Sequence, residues 1–166
     1  MTAVDPLLIQ RVSGLLARHQ LKLMLAESMT AGAIAAHLSL GVNAGDYLMG
    51  SIVCYDDEIK STCLGVDSRL IERYGGVSPE VTKALTDGLA RNFPQGKLFV
   101  AVTGFAFESP AVSEEDPVGT TYIYLRMGEI DCAKRYVLEG SPEQIIAEAV
   151  TLVLLLLENN IHQLQE

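Results

Sequence analysis

Short apolar runs of strand length alternate with stretches of helical spacing along the whole chain, and this alternation most constrains the fold. Residues 5–19 place Leu8, Val12, Leu15 and Leu16 at helical intervals. Residues 21–25 are a short apolar run of strand length, and Thr30 then stands where it would cap a helix carrying Ile34, Ala35 and Leu38 on one side. Residues 47–55 read as strand and residues 56–64 as a short helix, with Asp67 capping a further helix over 68–74. Ser78-Pro79-Glu80 opens a helix that runs to about Asn92, with the proline in its first turn. Residues 97–102 are strand, 105–118 a loop with two prolines and four acids, and 119–126 and 130–138 two strands around Met127-Gly128-Glu129, a hairpin signal. Ser141-Pro142-Glu143 starts a long last helix with Ile145, Ile146, Ala149, Val153 and Leu156 inside. Interleaved helices and strands with one hairpin predict an α/β fold: a three-layer α/β/α sandwich around a mixed central sheet.

The 166 residues fit one domain, 1–166, and no repeat or low-complexity linker divides them. Twelve basic residues against 21 acidic ones give a formal net charge of -9, which argues against nucleic acid as a partner, because phosphate backbones need a basic footprint. The first ten residues carry Asp5 and Pro6 where a secretory leader has a basic start and an apolar block. The most apolar stretch, residues 152–157, is too short for a bilayer and reads as one side of a buried helix. A cytoplasmic location without membrane contact is therefore expected. Cys54, Cys63 and Cys132 form neither an even disulfide set nor a metal-ligand spacing, and His19, His37 and His162 are scattered. No metal and no cofactor are expected.

In mixed sheets, sites gather at the carboxyl ends of strands. Two segments meet that rule: residues 26–32 after the first strand and residues 103–119 after the third. Ser28 and Thr30 in the first are either capping residues or polar groups beside free helix-start amides that can hold an oxyanion or a phosphate. Lys60 is either a solvated helix lysine paired with Asp56 four residues earlier, or a buried base for a serine. Neither segment contains a histidine, so any serine chemistry is of the Ser/Lys kind. Thr103 and Gly104 are either an ordinary turn or a hydroxyl and an open backbone presented to a ligand.

Taken in order, these segments resemble the C-terminal domain of the competence/damage-inducible CinA family. The family's Ala-Glu pair followed by a Ser-Cys-Thr-Gly-Gly turn is matched by Ala26-Glu27-Ser28-Met29-Thr30-Ala31-Gly32. Its Tyr-Ser-Asn-Glu-x-Lys is matched by Tyr55-Asp56-Asp57-Glu58-Ile59-Lys60, its Leu-Gly-Val by Leu64-Gly65-Val66, and its Gly-x-Val-Ser by Gly75-Gly76-Val77-Ser78. Ala101-Val102-Thr103-Gly104 and Pro117-Val118-Gly119-Thr120 complete the series. Many family members carry this domain behind a larger N-terminal one, and this chain resembles the stand-alone form.

The resemblance implies a nicotinamide mononucleotide amidohydrolase, which converts the carboxamide to nicotinate mononucleotide and ammonia. In that reading Ser28 is the nucleophile, Lys60 its base, and Tyr55 orients the pair or the ring. The backbone of Met29, Thr30, Ala31 and Gly32 polarises the amide oxygen, and Thr103 and Gly104 line the pocket. The implied partner is a small-molecule amide, and family habit implies a homo-oligomer. The chain departs from the pattern at Met29 and Ala31, which are expected to narrow the oxyanion site, and at Asp57, which adds a negative charge beside Lys60. Phe105-Ala106-Phe107-Glu108-Ser109-Pro110 replaces a Gly/Pro-rich loop, and Gly140-Ser141-Pro142 and Ile146 stand where the family has arginines. These changes are expected to weaken phosphate binding. The alternative is a catalytically silent or substrate-shifted relative that binds a small ligand or acts as an interaction protein.

Overall fold

A computed structural model describes residues 4–165. Its elements, in chain order, are α1 (Pro6–Arg18), β1 (Leu23–Glu27), α2 (Ala33–Leu38), α3 (Ala44–Tyr47), β2 (Leu48–Val53), α4 (Asp57–Leu64), α5 (Ser68–Tyr74), α6 (Pro79–Asn92), β3 (Leu98–Gly104), β4 (Thr120–Met127), β5 (Ile130–Val137) and α7 (Pro142–His162), followed by one 3-10 turn. The sheet order is β2-β1-β3-β4-β5. β1 pairs in parallel with β2 and β3, and β3, β4 and β5 are antiparallel neighbours. The fold is the expected α/β/α sandwich around a mixed sheet.

Local chemistry sets the element boundaries. Asp5 accepts from the Leu7 amide (2.9 Å), and Pro6 opens α1, where its missing N–H costs nothing. Gln20 takes φ 52 and the Leu21 amide bonds back to the Leu16 carbonyl, so β1 begins at Leu23, two residues later than expected. That shift brings Glu27 into the strand. Asp56, Asp67 and Ser78 cap α4, α5 and α6 as N-terminal acceptors. Ser141 and Gln144 form a reciprocal capping box on α7. The hairpin closes over Gly128 and Glu129, with Gly128 at φ 59. The short α3 was not foreseen.

Alternation along the strands divides the core into two layers. Leu23 and Leu25 of β1, Leu98, Val100 and Val102 of β3, and Ile123 and Leu125 of β4 pack with α1, α2 and α7. Met24, Ala26, Phe99 and Ala101 face the other way, against Leu64, Val81, Leu85 and Leu89 on the α4–α6 side. By length and composition alone α7 is apolar enough to cross a bilayer, but its Ile145, Ala149, Val153 and Leu157 are buried in the first of these layers. Ile146 is only half-buried.

Leu25 sits fully enclosed on the inner strand β1. Leu25→Ala is expected to lower unfolding free energy by about 3 kcal/mol, read as a reduced urea midpoint with an unchanged slope.

Candidate functional site

The chain leaves β1, crosses to β2 past α2 on one face of the sheet, and returns to β3 past α4–α6 on the other face. The carboxyl ends of β1, β2 and β3 therefore meet at a topological switch point, where a crevice is expected. Hydrogen bonds tie these ends together: the Ser28 amide donates to the Val102 carbonyl (3.0 Å) and the Cys54 amide to the Glu27 carbonyl (2.9 Å).

Glu27 closes the strand and is wholly buried. Its Oε2 accepts from Thr30 Oγ1 (2.8 Å), the Gly32 amide (3.0 Å) and the Ile34 amide (3.0 Å). Its Oε1 accepts from the Ala35 amide (3.0 Å) and Ser51 Oγ (2.9 Å). A buried carboxylate is tolerated only when its acceptor sites are filled, and the unpaired N–H groups of a helix start suit that need. Thr30 is therefore not the cap of α2: its hydroxyl serves the carboxylate of Glu27, which caps the helix from the strand. The Ala31 amide bonds to the Ser28 carbonyl and the Ala33 amide to the Thr30 carbonyl. Of the expected oxyanion cradle, Met29 to Gly32, only the amides of Met29 and Thr30 make no hydrogen bond among the described residues. Ala31 is exposed at φ 48 and stays out of the cleft, so it does not narrow the space there; Met29 does line it.

The cleft at this switch point encloses about 410 Å³. Ser28, Met29, Tyr55, Asp57, Lys60, Gly76 and Val77 line one side, and Gly104 to Ser109 with Ala111 line the other. Ser28 Oγ has no hydrogen-bond partner among the described residues and is not sealed from solvent, so it opens to the cleft. Lys60 is 2% exposed, which excludes a solvated surface lysine. Its Nζ donates to Asp57 Oδ1 (2.7 Å) and, at 3.5 Å, to the Tyr55 carbonyl. Its carboxylate partner is Asp57 rather than Asp56, because Asp56 folds back onto the Glu58 amide (2.8 Å) as the helix cap. No direct hydrogen bond joins Ser28 Oγ to Lys60 Nζ. Tyr55 contributes its carbonyl to the lysine, while its ring, 60% exposed, lies at the rim.

Thr103 and Gly104 part company. Thr103 is buried on the α6 side, where its hydroxyl meets Thr82 Oγ1 (2.8 Å). Since Thr82 gives its own proton to the Ser78 carbonyl (2.6 Å), Thr103 must be the donor. Thr103 thus does not line the cleft, whereas Gly104 does, and a Cβ there would strike the Met29 sulfur and the Thr120 carbonyl. Ile146 lines a separate groove with Ile9, His37 and Val150, because the start of α7 packs on α1 and α2. Its replacement of an arginine therefore removes no charge from this chain's Ser28 cleft. Sequence reading missed Glu27 as the anchor; a lone acid ending an all-buried strand just before a helix start was the available signal. A larger groove, about 520 Å³, runs between α6 and the β4–β5 face along Tyr122, Tyr124 and Arg135, but it brings no serine, threonine or cysteine to a strand end.

Beside the site, Cys54 is enclosed and its Sγ approaches the Glu27 carbonyl (3.8 Å). Burial pushes its thiol up to about 11, against the opposing charge of Lys60. Among the described residues, no group of histidine, cysteine, aspartate and glutamate side chains forms a metal-binding cluster.

The CinA C-terminal domain profile matches residues 7–161. A CinA-like protein of Desulfotalea psychrophila is 35% identical over 136 residues, covering 82% of this chain and 32% of the relative. One from Mycobacterium avium is 41% identical over 103 residues, covering 62% of this chain and 23% of the relative. The chain thus spans about a third or less of the length of these relatives. Among solved structures, a CinA superfamily protein of Klebsiella pneumoniae superposes with TM-score 0.87 at 23% identity, covering 95% of this chain and 98% of that one. One from Escherichia coli gives TM-score 0.81 at 27% identity, covering 90% of this chain and 87% of that one.

Two outcomes follow from this geometry. Glu27→Gln is expected to cost about 2–4 kcal/mol of unfolding free energy in urea, since either orientation of the amide turns its NH2 group toward at least two donors. Iodoacetamide at pH 8, read by peptide mass mapping, is expected to label exposed Cys63 in the native protein and Cys54 only after unfolding.

Proposed function

The chain belongs to the CinA C-terminal domain family, and on that premise we propose that it is an amide hydrolase that acts on nicotinamide mononucleotide or a related pyridine carboxamide through Ser28. The observation that carries this reading is the convergence of Ser28 and a buried Lys60, 32 positions apart in the chain, on one cleft at the strand ends.

The reaction divides into two steps. Ser28 Oγ attacks the carboxamide carbon and loses its proton to Lys60, which must first release one. Asp57, 2.7 Å from Nζ, is placed to take that proton, so the pair works as one proton relay. The amides of Met29 and Thr30 are the groups left to hold the developing oxyanion. As the intermediate collapses, Lys60 returns that proton to the leaving nitrogen, ammonia departs, and a serine ester remains. Water then attacks the ester, the carboxylic acid leaves, and Ser28 regains its proton. No step calls for a metal or a redox cofactor.

A second reading, a ligand-binding relative without turnover, is favoured by one observation: the Lys60 ammonium is engaged by Asp57 and not by Ser28. Ammonia release decides between them. With a pyridine carboxamide panel that includes nicotinamide mononucleotide, the amidase reading expects turnover that Ser28→Ala and Lys60→Met each reduce by at least about a hundredfold. Folded protein that releases no ammonia from any member of the panel favours the second reading.

A further inference from the structure

We propose that the Ser28 cleft selects a carboxamide borne on a cationic aromatic ring without a phosphate, and that Glu108 sets this charge preference. The identity of the carboxamide rests on the amidase reading; the charge preference rests on the lining of the cleft alone.

Among the described residues that line the cleft, Lys60 is the one cation, and Asp57 already neutralises it at 2.7 Å. Glu108 makes no ion pair or hydrogen bond among the described residues, so the lining carries a net charge of -1 at neutral pH. A phosphate needs arginine, lysine or a run of free glycine amides. Residues 105–110 contain no glycine, and Phe107 and Glu108 occupy the rim instead. The one arginine that reaches this loop's far end, Arg135, is committed to the Asp116 carboxylate (3.2 Å) and the Glu115 carbonyl. A phosphoryl group entering the cleft would meet an unpaired carboxylate and no unpaired cation.

The same lining suits a positive aromatic. Tyr55 and Phe107, 60% and 54% exposed, stand at the rim, with half-buried Phe105 deeper in the lining. Aromatic faces attract cations, and a pyridinium adds a ring that can stack on them. An N-substituted pyridinium carboxamide brings both features, with its carboxamide directed to Ser28 and its positive ring toward Glu108. Adding a 5'-phosphate to that molecule reverses its net charge and turns attraction into repulsion.

The test separates binding from turnover. Calorimetry on Ser28→Ala protein at low salt compares nicotinamide riboside with nicotinamide mononucleotide. The riboside is expected to bind at least about tenfold tighter, a difference of about 1.4 kcal/mol. Adding Glu108→Gln is expected to bring the ratio toward one, and Glu108→Lys to reverse it. Glu108 is exposed and unbonded, so both changes leave the fold intact, which circular dichroism checks. Mononucleotide binding that equals or exceeds riboside binding overturns the proposal, as does a ratio that ignores residue 108 or the absence of binding by both. The preference with no ammonia release from the riboside or from any other member of the carboxamide panel, by protein retaining Ser28, defeats the amidase reading and leaves the charge preference standing.

Discussion

A carboxylate with no exposure to solvent organises this domain. Glu27 ends β1 inside the protein and needs five donors, which it draws from the turn after β1, from the start of α2 and from β2. Each contact exchanges an unmet helix-start amide or a buried hydroxyl for a bond to charge, so the two costs of burial cancel one another. The arrangement fixes the angle at which α2 leaves the strand and holds β2 alongside. Ser28, the next residue, inherits a defined position while its hydroxyl makes no hydrogen bond among the described residues. A serine hydroxyl can thus stand unpartnered in the cleft because its neighbour is fully partnered.

The sheet topology supplies the rest of the cleft. Because the chain reverses direction across β1, the ends of β1, β2 and β3 and the first turn of α4 open onto the same space, and the loop after β3 closes it. Lys60 reaches this space from within the α4 side, and its charge is met there by Asp57. Asp57 also lies against Gly76, where a side chain at position 76 would collide with the carboxylate. The turn between α5 and α6 is therefore part of the same construction. The Gly-Gly step has a packing reason as well as a chain-turning one.

Much of this was legible in the chain itself. Capping residues such as Asp67, Ser78 and Ser141 mark helix starts by chemistry that acts over two or three residues, and the structure bears them out. Interleaved strand-length runs and helical spacings gave the layers, and the motifs gave the family. What escaped depends on tertiary partners. Thr30 has the composition of a cap, but a carboxylate from the preceding strand took that role. Asp56 has the spacing to pair with Lys60, but its own capping bond turns it away. Thr103 and Gly104 are adjacent in a motif, yet strand alternation sends the Thr103 side chain toward α6 while Gly104 remains at the cleft. Ile146 falls at a position expected to matter for phosphate and lies in another groove.

In the proposed amidase reaction Ser28 becomes covalently acylated. Mass spectrometry of the protein quenched during turnover of a reactive pyridine-3-carboxylate ester reads that step. The expected result is a nicotinoyl adduct on the peptide containing Ser28, absent in Ser28→Ala and strongly reduced in Lys60→Met. Turnover of the ester with no adduct on that peptide, or with the adduct on another residue, rules out Ser28 as the nucleophile.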